Sequence, residues 1–345
     1  GKANLSEWAY FFCDDCPSGW SAMGGQTLNP YGRLRFNTGG SSSGSGASIA
    51  ANYAAAAVGS ETSGSILSPS SANSLVGLKP TTGSLSRTGV VPISGSLDTT
   101  GPMARSVADV IILFNGMTGY DQRDTAMPMM SDDLQLEYRD QSMAGLRLGA
   151  PERYLDNELF LKALRLLSAD EAAIVEISLP EIDTQGFGTL LGREMMRDLA
   201  LYLKDHASPM VMIDSVDDLH GFNLQRPDLR MPYGQAEVDR MIELDIGPAE
   251  LETLRDSLQS GARAAMEALF AGSDLDLMLS MDNRNAAFAA LANYPALTVP
   301  LGYSDSGRPV NLTLFAPPFQ EQLLVDVGGR FERLADARRT PADYP

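Results

Sequence analysis

A chain of 345 residues can bury a large core, as one big domain or two ordinary ones, and its 44% hydrophobic and 20% charged residues are those of a globular protein. No apolar run nears the ~18 residues that span a bilayer, that at 110–114 included. The net charge of −18 argues against nucleic acid and an anionic membrane surface as partners, and suits a neutral or cationic ligand.

The chain opens at Gly1 with no Met and no targeting pattern, and residues 2–8 read as the end of a buried strand and the start of a helix. A domain rarely begins in mid-element, so further sequence is expected upstream. Cys13 and Cys16 form a C-x-x-C, the spacing of half a zinc site or of a redox pair. Zinc needs four ligands, and the two histidines, His206 and His220, are far away, so the expectation is two incidental thiols and no metal.

Residues 37–46 are almost all glycine and serine, which alone would suit a flexible linker. The Ala-rich segment 47–57 that follows, with Ile49 and Tyr53 four apart, predicts a tightly packed helix. A small-residue loop feeding a buried helix is the make-up of a site. A second such loop runs through 59–69, and short apolar segments at 75–78, 85–86 and 90–93 alternate with turns.

Residues 106–117 predict an amphipathic helix. Beyond it, strands at 146–150, 173–178, 275–280, 296–301 and 310–315 alternate with helices at 157–167, 190–205, 248–270, 286–292 and 320–334, the rhythm of an α/β protein. Residues 209–247 are the most polar and irregular, and read as a lid or insertion. The expectation is one domain over 1–345: a core at about 1–120, a variable substrate-side segment at about 185–270, and a return to the core at about 275–335.

The motifs Gly39-Gly40-Ser41-Ser42-Ser43-Gly44-Ser45, Gly59-Ser60-Glu61-Thr62-Ser63-Gly64-Ser65-Ile66, Gly77-Leu78-Lys79-Pro80-Thr81 and Asp98-Thr99-Thr100-Gly101-Pro102 together resemble the amidase signature family. Gly1-Lys2-Ala3-Asn4-Leu5-Ser6-Glu7-Trp8 and, near the end, Asn293-Tyr294-Pro295-Ala296-Leu297-Thr298-Val299-Pro300 are similar to flanking segments of that family. Ser63 and Leu67 stand where the family usually has Gly and Arg, a variant that resembles bacterial peptide amidases.

The resemblance implies a single α/β/α domain with a mixed central sheet, lacking its N-terminal part. It implies Ser65 as nucleophile, Ser41 as a bridging serine after a cis peptide from Gly40, Ser42 in the same network, and an oxyanion hole of the Thr62, Ser63, Gly64 and Ser65 N–H groups. The implied reaction turns a primary carboxamide into acid and ammonia without metal or organic cofactor, with C-terminally amidated peptides as the substrate class.

That chemistry needs a base, because a serine hydroxyl is a poor nucleophile at neutral pH. A lysine can serve only if burial lowers its pKa below about 10.4. The family's lysine lies upstream of the Gly-Lys-x-Asn segment with which this chain opens. Lys2 and Lys79 fall at other family positions, and Lys162 and Lys204 fall on variable helices. The chain is therefore expected to be truncated and to turn over little or no substrate alone.

Gly40-Ser41-Ser42-Ser43-Gly44 also fits the G-x-S-x-G elbow, but no apolar strand precedes it and no histidine lies near the end. A non-catalytic amidase-like scaffold and a partner-dependent amidotransferase-type subunit are the remaining rivals.

Overall fold

The computed structural model describes residues 1–127 and 134–344. A short hairpin of β1 (Trp20–Ser21) and β2 (Gly25–Gln26) precedes the main sheet. The sheet strands are β3 (Ala56–Glu61), β4 (Val76–Lys79), β5 (Thr99–Ala104), β6 (Arg147–Pro151), β7 (Ala173–Ile177), β8 (Leu277–Met281), β9 (Ala296–Tyr303) and β10 (Pro309–Phe315). They lie in the order β3-β5-β4-β9-β10-β8-β6-β7. β6 pairs parallel with β7 and β8, and the remaining pairs are antiparallel, so the sheet is mixed.

The helices are α1 (Ser43–Ala50), α2 (Leu67–Ala72), α3 (Val107–Met117), α4 (Glu158–Ala169), α5 (Phe187–His206), α6 (Val216–Leu224), α7 (Pro227–Arg230), α8 (Ala236–Ile242), α9 (Pro248–Ser273), α10 (Ala286–Ala292) and α11 (Glu321–Ala335). On one face of the sheet α3, α4 and α11 bury Val107, Phe114, Phe160, Leu167, Leu324 and Phe331 against Leu148, Leu279, Leu297 and Leu312. On the other face α9 and α10 bury Met266, Phe270, Ala289 and Leu291 against Met278, Ala296 and Phe315. Covering both faces requires apolar side chains on both, which is why β8 and β10 are buried along their whole length. The α/β/α architecture is that expected from the sequence.

Local signals place several elements. Ser106 caps α3 by accepting from the Asp109 N–H, and Asn157 caps α4 by accepting from Phe160 N–H. The predicted helix at 47–57 is displaced. It begins in the serine loop at Ser43 and stops at Ala50, because Asn52 takes a positive φ of 61° and residues 56–61 become the edge strand β3. Ile49 is fully buried but Tyr53 is 77% exposed, so the four-residue spacing does not mark one helical face. Residues 2–5 form no buried strand; they are mostly exposed, and Glu7–Tyr10 is a 3-10 turn. Residues 85–86 and 90–93 lie in loops, and 209–247 hold the three short helices α6–α8. No helix among the described residues is long and apolar enough to cross a membrane.

Candidate active site

Ser65 sits in the turn between β3 and α2. Glu61, the last residue of β3, shapes that turn: its carboxylate accepts from the N–H groups of Ile66 (2.7 Å) and Leu67 (3.0 Å). Gly64 has φ +83°, and a Cβ there would stand 3.2 Å from the Asn283 side-chain amide, so the turn needs glycine for conformation and for space. Thr62 Oγ1 donates to Asp98 at 2.6 Å. The same aspartate accepts from the Ile93 and Ser94 N–H groups, each at 2.9 Å.

The second serine loop lies alongside. The Gly40–Ser41 peptide is cis. Ser41 is fully buried, and its Oγ has no hydrogen-bond partner among the described residues. Ser42 N–H donates to the Ser65 carbonyl at 3.2 Å, which joins the two loops directly. Ser42 Oγ accepts from Ser60 N–H and donates to the Ser60 carbonyl, both at 3.1 Å, and so pins the loop to β3. Ser6 N–H donates to the Ser41 carbonyl at 3.0 Å.

A cavity of about 530 Å³ opens over this pair of loops. Gly39, Gly40, Thr62, Ser63, Gly64, Ser65 and Ser68 line one side, and Tyr10, Phe11, Ile93, Phe187 and Leu191 form an apolar wall. Asp282, Asn283 and Arg308 supply a polar end. The expected nucleophile and the residues of all four expected oxyanion donors therefore share one cavity. Ser41 is buried and does not line it, though its neighbour Gly40 does.

None of the four lysines hydrogen-bonds to Ser41 or Ser65 among the described residues. Lys2, Lys162 and Lys204 are exposed. Lys79 is fully buried on β4 and donates to the carbonyls of Pro80 (3.0 Å) and Tyr294 (3.1 Å). Burial pushes its pKa down to about 8 against the opposing pull of Glu61 and Glu321. Burial likewise raises the Glu61 carboxyl, opposed by Lys79 and by the N–H groups it accepts from. Ser42 has no histidine for an elbow-type triad: His220 pairs with Asp239 at 3.1 Å, and His206 packs on Tyr202. Cys13 and Cys16 are joined in a disulfide, which corrects the reading of two incidental thiols.

Sequence reasoning did not single out Glu61, Asp98 or Asn283. The available signal was a carboxylate embedded in a small-residue loop, where burial without a partner is costly.

Two predictions arise here. A Cβ on Gly44 would run into the backbone of Asn4, whose carbonyl accepts from Gly44 N–H at 2.9 Å. Neither backbone can yield alone, so Gly44→Ala is expected to lower unfolding free energy by about 1–3 kcal/mol, read from urea midpoints. The second concerns Asp98, whose carboxyl burial pushes up to about 6 from 3.8. The folded state then binds the proton more tightly than the unfolded chain, so this group's stabilisation is full below pH 3.8 and is lost as pH rises through 6. The stability of the parent relative to Asp98→Asn is expected to fall by about 2–3 kcal/mol between about pH 4 and pH 7. A pH-independent difference in urea unfolding would show that Asp98 does not titrate there.

The amidase family model matches residues 1–228. A probable amidase of Arabidopsis thaliana is 33% identical over 99% of this chain and 68% of its own length. A glutamyl-tRNA(Gln) amidotransferase subunit of Halorhodospira halophila is 31% identical, over 97% of this chain and 74% of its own. The X-ray structure of native peptide amidase from Stenotrophomonas maltophilia matches with a TM-score of 0.89 and 36% identity, over 99% of this chain and 74% of that one. The chain thus spans 68% to 74% of the length of these relatives.

Proposed function

The chain belongs to the amidase family, and on that premise we propose that it hydrolyses a primary carboxamide to a carboxylic acid and ammonia through an acyl-Ser65 intermediate. The observation that carries this reading is the juxtaposition of Ser65, in the wall of a cavity, with the loop of Ser41, whose buried Oγ is unpartnered among the described residues.

The steps are those that an acyl-serine route requires. Ser65 Oγ attacks the amide carbon while its proton passes to Ser41 Oγ and from there to a base. The N–H groups of the 62–65 turn stabilise the tetrahedral oxyanion, an interaction whose loss typically costs about 2.7–4 kcal/mol per donor. The C–N bond breaks, the departing ammonia takes the proton back through Ser41, and water repeats the cycle on the acyl ester. None of the four lysines is placed as that base: Lys79 donates to two carbonyls and the others are exposed.

The similarity to peptide amidase supports a C-terminally amidated peptide as substrate, and the apolar wall of Phe11, Ile93, Phe187 and Leu191 suits an apolar side chain next to the amide. A second reading, a partner-dependent amidotransferase-type subunit, is favoured by the 31% identity to such a protein. A non-catalytic scaffold is the reading if no base reaches Ser41.

The test is ammonia release from an amidated dipeptide and from a simple aliphatic amide, by the complete gene product beside its Ser65→Ala variant. Release by the parent alone supports the hydrolase and its nucleophile, and the faster substrate fixes the class. No release from either amide by folded protein moves the reading to the scaffold or partner-dependent subunit.

A further inference from the structure

Residues 6–19 make a loop that begins and ends on the serine network. Ser6 N–H donates to the Ser41 carbonyl at 3.0 Å, and Gly19 N–H donates to Ser6 Oγ at 2.8 Å. In between, Tyr10, Phe11 and Ser18 line the catalytic cavity. The stretch leading to Phe11 holds three consecutive non-glycine residues in the left-handed region: Trp8 (φ 46°), Ala9 (φ 53°) and Tyr10 (φ 70°). Such a run persists only where the surroundings enforce it.

What enforces it is the apex. Phe12, Cys13 and Cys16 are buried against Met195 and Leu199 of α5, Val216 of α6, and Val238 and Met241 of α8. The Phe12 carbonyl accepts from Glu237 N–H at 3.0 Å, and Asp14 pairs with Arg240. The disulfide closes this apex, with Cα atoms 5.5 Å apart, inside the range a bridge requires.

We propose that Cys13 and Cys16 are a redox-modification site through which a dithiol reductant changes the shape of the catalytic cavity. One thiolate of the reductant attacks a bridge sulfur to give a mixed disulfide, and its second thiol displaces the other protein sulfur. The reductant leaves as a disulfide, and two electrons and two protons have passed to the protein as two S–H groups. The apex then loses its cross-link, residues 8–10 relax out of the left-handed region, and Phe11 and Tyr10 leave the cavity wall. The structural change rests on the loop geometry alone; its effect on turnover rests on the amide-hydrolase reading.

The experiment treats the native, complete gene product with dithiothreitol, alkylates with iodoacetamide, and localises the label by peptide mass. Hydrogen exchange at residues 7–18 and steady-state kinetics on an amidated dipeptide are read in parallel. The expected result is a bridge before treatment, two alkylated cysteines after it, and faster exchange at 7–18 with β9 and β10 unchanged. KM is expected to rise about tenfold, the scale of re-ordering two aromatic side chains on binding, and to recover on reoxidation. A Cys13→Ser/Cys16→Ser double variant is expected to show the reduced-state exchange and KM whether or not reductant is present.

Free thiols in the untreated protein, or reduction without any change in exchange at 8–12, would overturn the proposal. If the double variant fails to fold, the reduced parent still decides it. Faster exchange at 8–12 together with no amide turnover in any state supports the redox site and counts against the hydrolase reading.

Discussion

Ser41→Ala is expected to lower kcat on the amide about 10²–10⁴-fold, the range for a lost proton-transfer group, and to leave KM near its parental value. The asymmetry comes from where the serine lies. Ser41 is fully buried and does not line the cavity, so it offers substrate no contact whose loss would weaken binding. Ser65→Ala, which removes the nucleophile itself, is expected to abolish acyl-enzyme formation outright. Stability provides the control. The Ser41 hydroxyl has no hydrogen-bond partner among the described residues, so its removal strands nothing, and the urea midpoint of Ser41→Ala is expected to shift by no more than about 0.5 kcal/mol. A serine held only for structure would show the reverse: a shifted midpoint with parental kcat. That outcome would remove Ser41 from the proton path.

How much of this was legible in the sequence depends on which interactions make each element. Helix α3 could be read because its signals are local: Ser106 at the cap, with Val107, Val110, Ile111 and Phe114 at helical spacing. Strands β8 to β10 could be read because burial on both faces makes each a short apolar run. Strand β3 straddles the predicted helix at 47–57 and the predicted loop at 59–69, because Ala56 and Ala57 suit either state, Gly59 and Ser60 read as loop, and pairing with β5, some forty residues on, decides the matter. β5 itself, Thr-Thr-Gly-Pro-Met-Ala, carries a Gly and a Pro that read as turn signals. The site divides in the same way. The serines were legible as an ordered set of motifs, whereas Glu61 acts through a buried turn that closes on it from Ile66 and Leu67, and Asp98 through a bond to Thr62, 36 residues away, that exists only once the strands are paired. The C-x-x-C left its pairing open because spacing alone does not distinguish two thiols from a bridge.

Lys79 carries the larger expected effect on stability. Its ammonium is fully buried, donates to two carbonyls, and is the cation that acts on the buried Glu61 carboxylate. Burial lowers its pKa to about 8 and raises that of Glu61, and each group's charge opposes the shift of the other. Lys79→Met takes the donor from the buried Pro80 and Tyr294 carbonyls and the cation's pull from Glu61, and each buried acceptor left unpaired costs about 1–3 kcal/mol. A second effect follows through the same carboxylate. Without the lysine, Glu61 is driven further toward its neutral form and becomes a weaker acceptor for the Ile66 and Leu67 N–H groups that fold the turn carrying Ser65. Lys79→Met is therefore expected to lose both stability and kcat. The double variant Lys79→Met/Glu61→Gln removes both charges while keeping an oxygen that can accept from that turn, and is expected to recover the part of the stability loss that comes from Glu61. Urea unfolding of the parent, the single variant and the double variant, with kcat on the same preparations, separates the two effects. Recovery of stability without recovery of kcat would mean that the charge on Glu61, and not merely its hydrogen bonds, holds the nucleophile turn in its working shape.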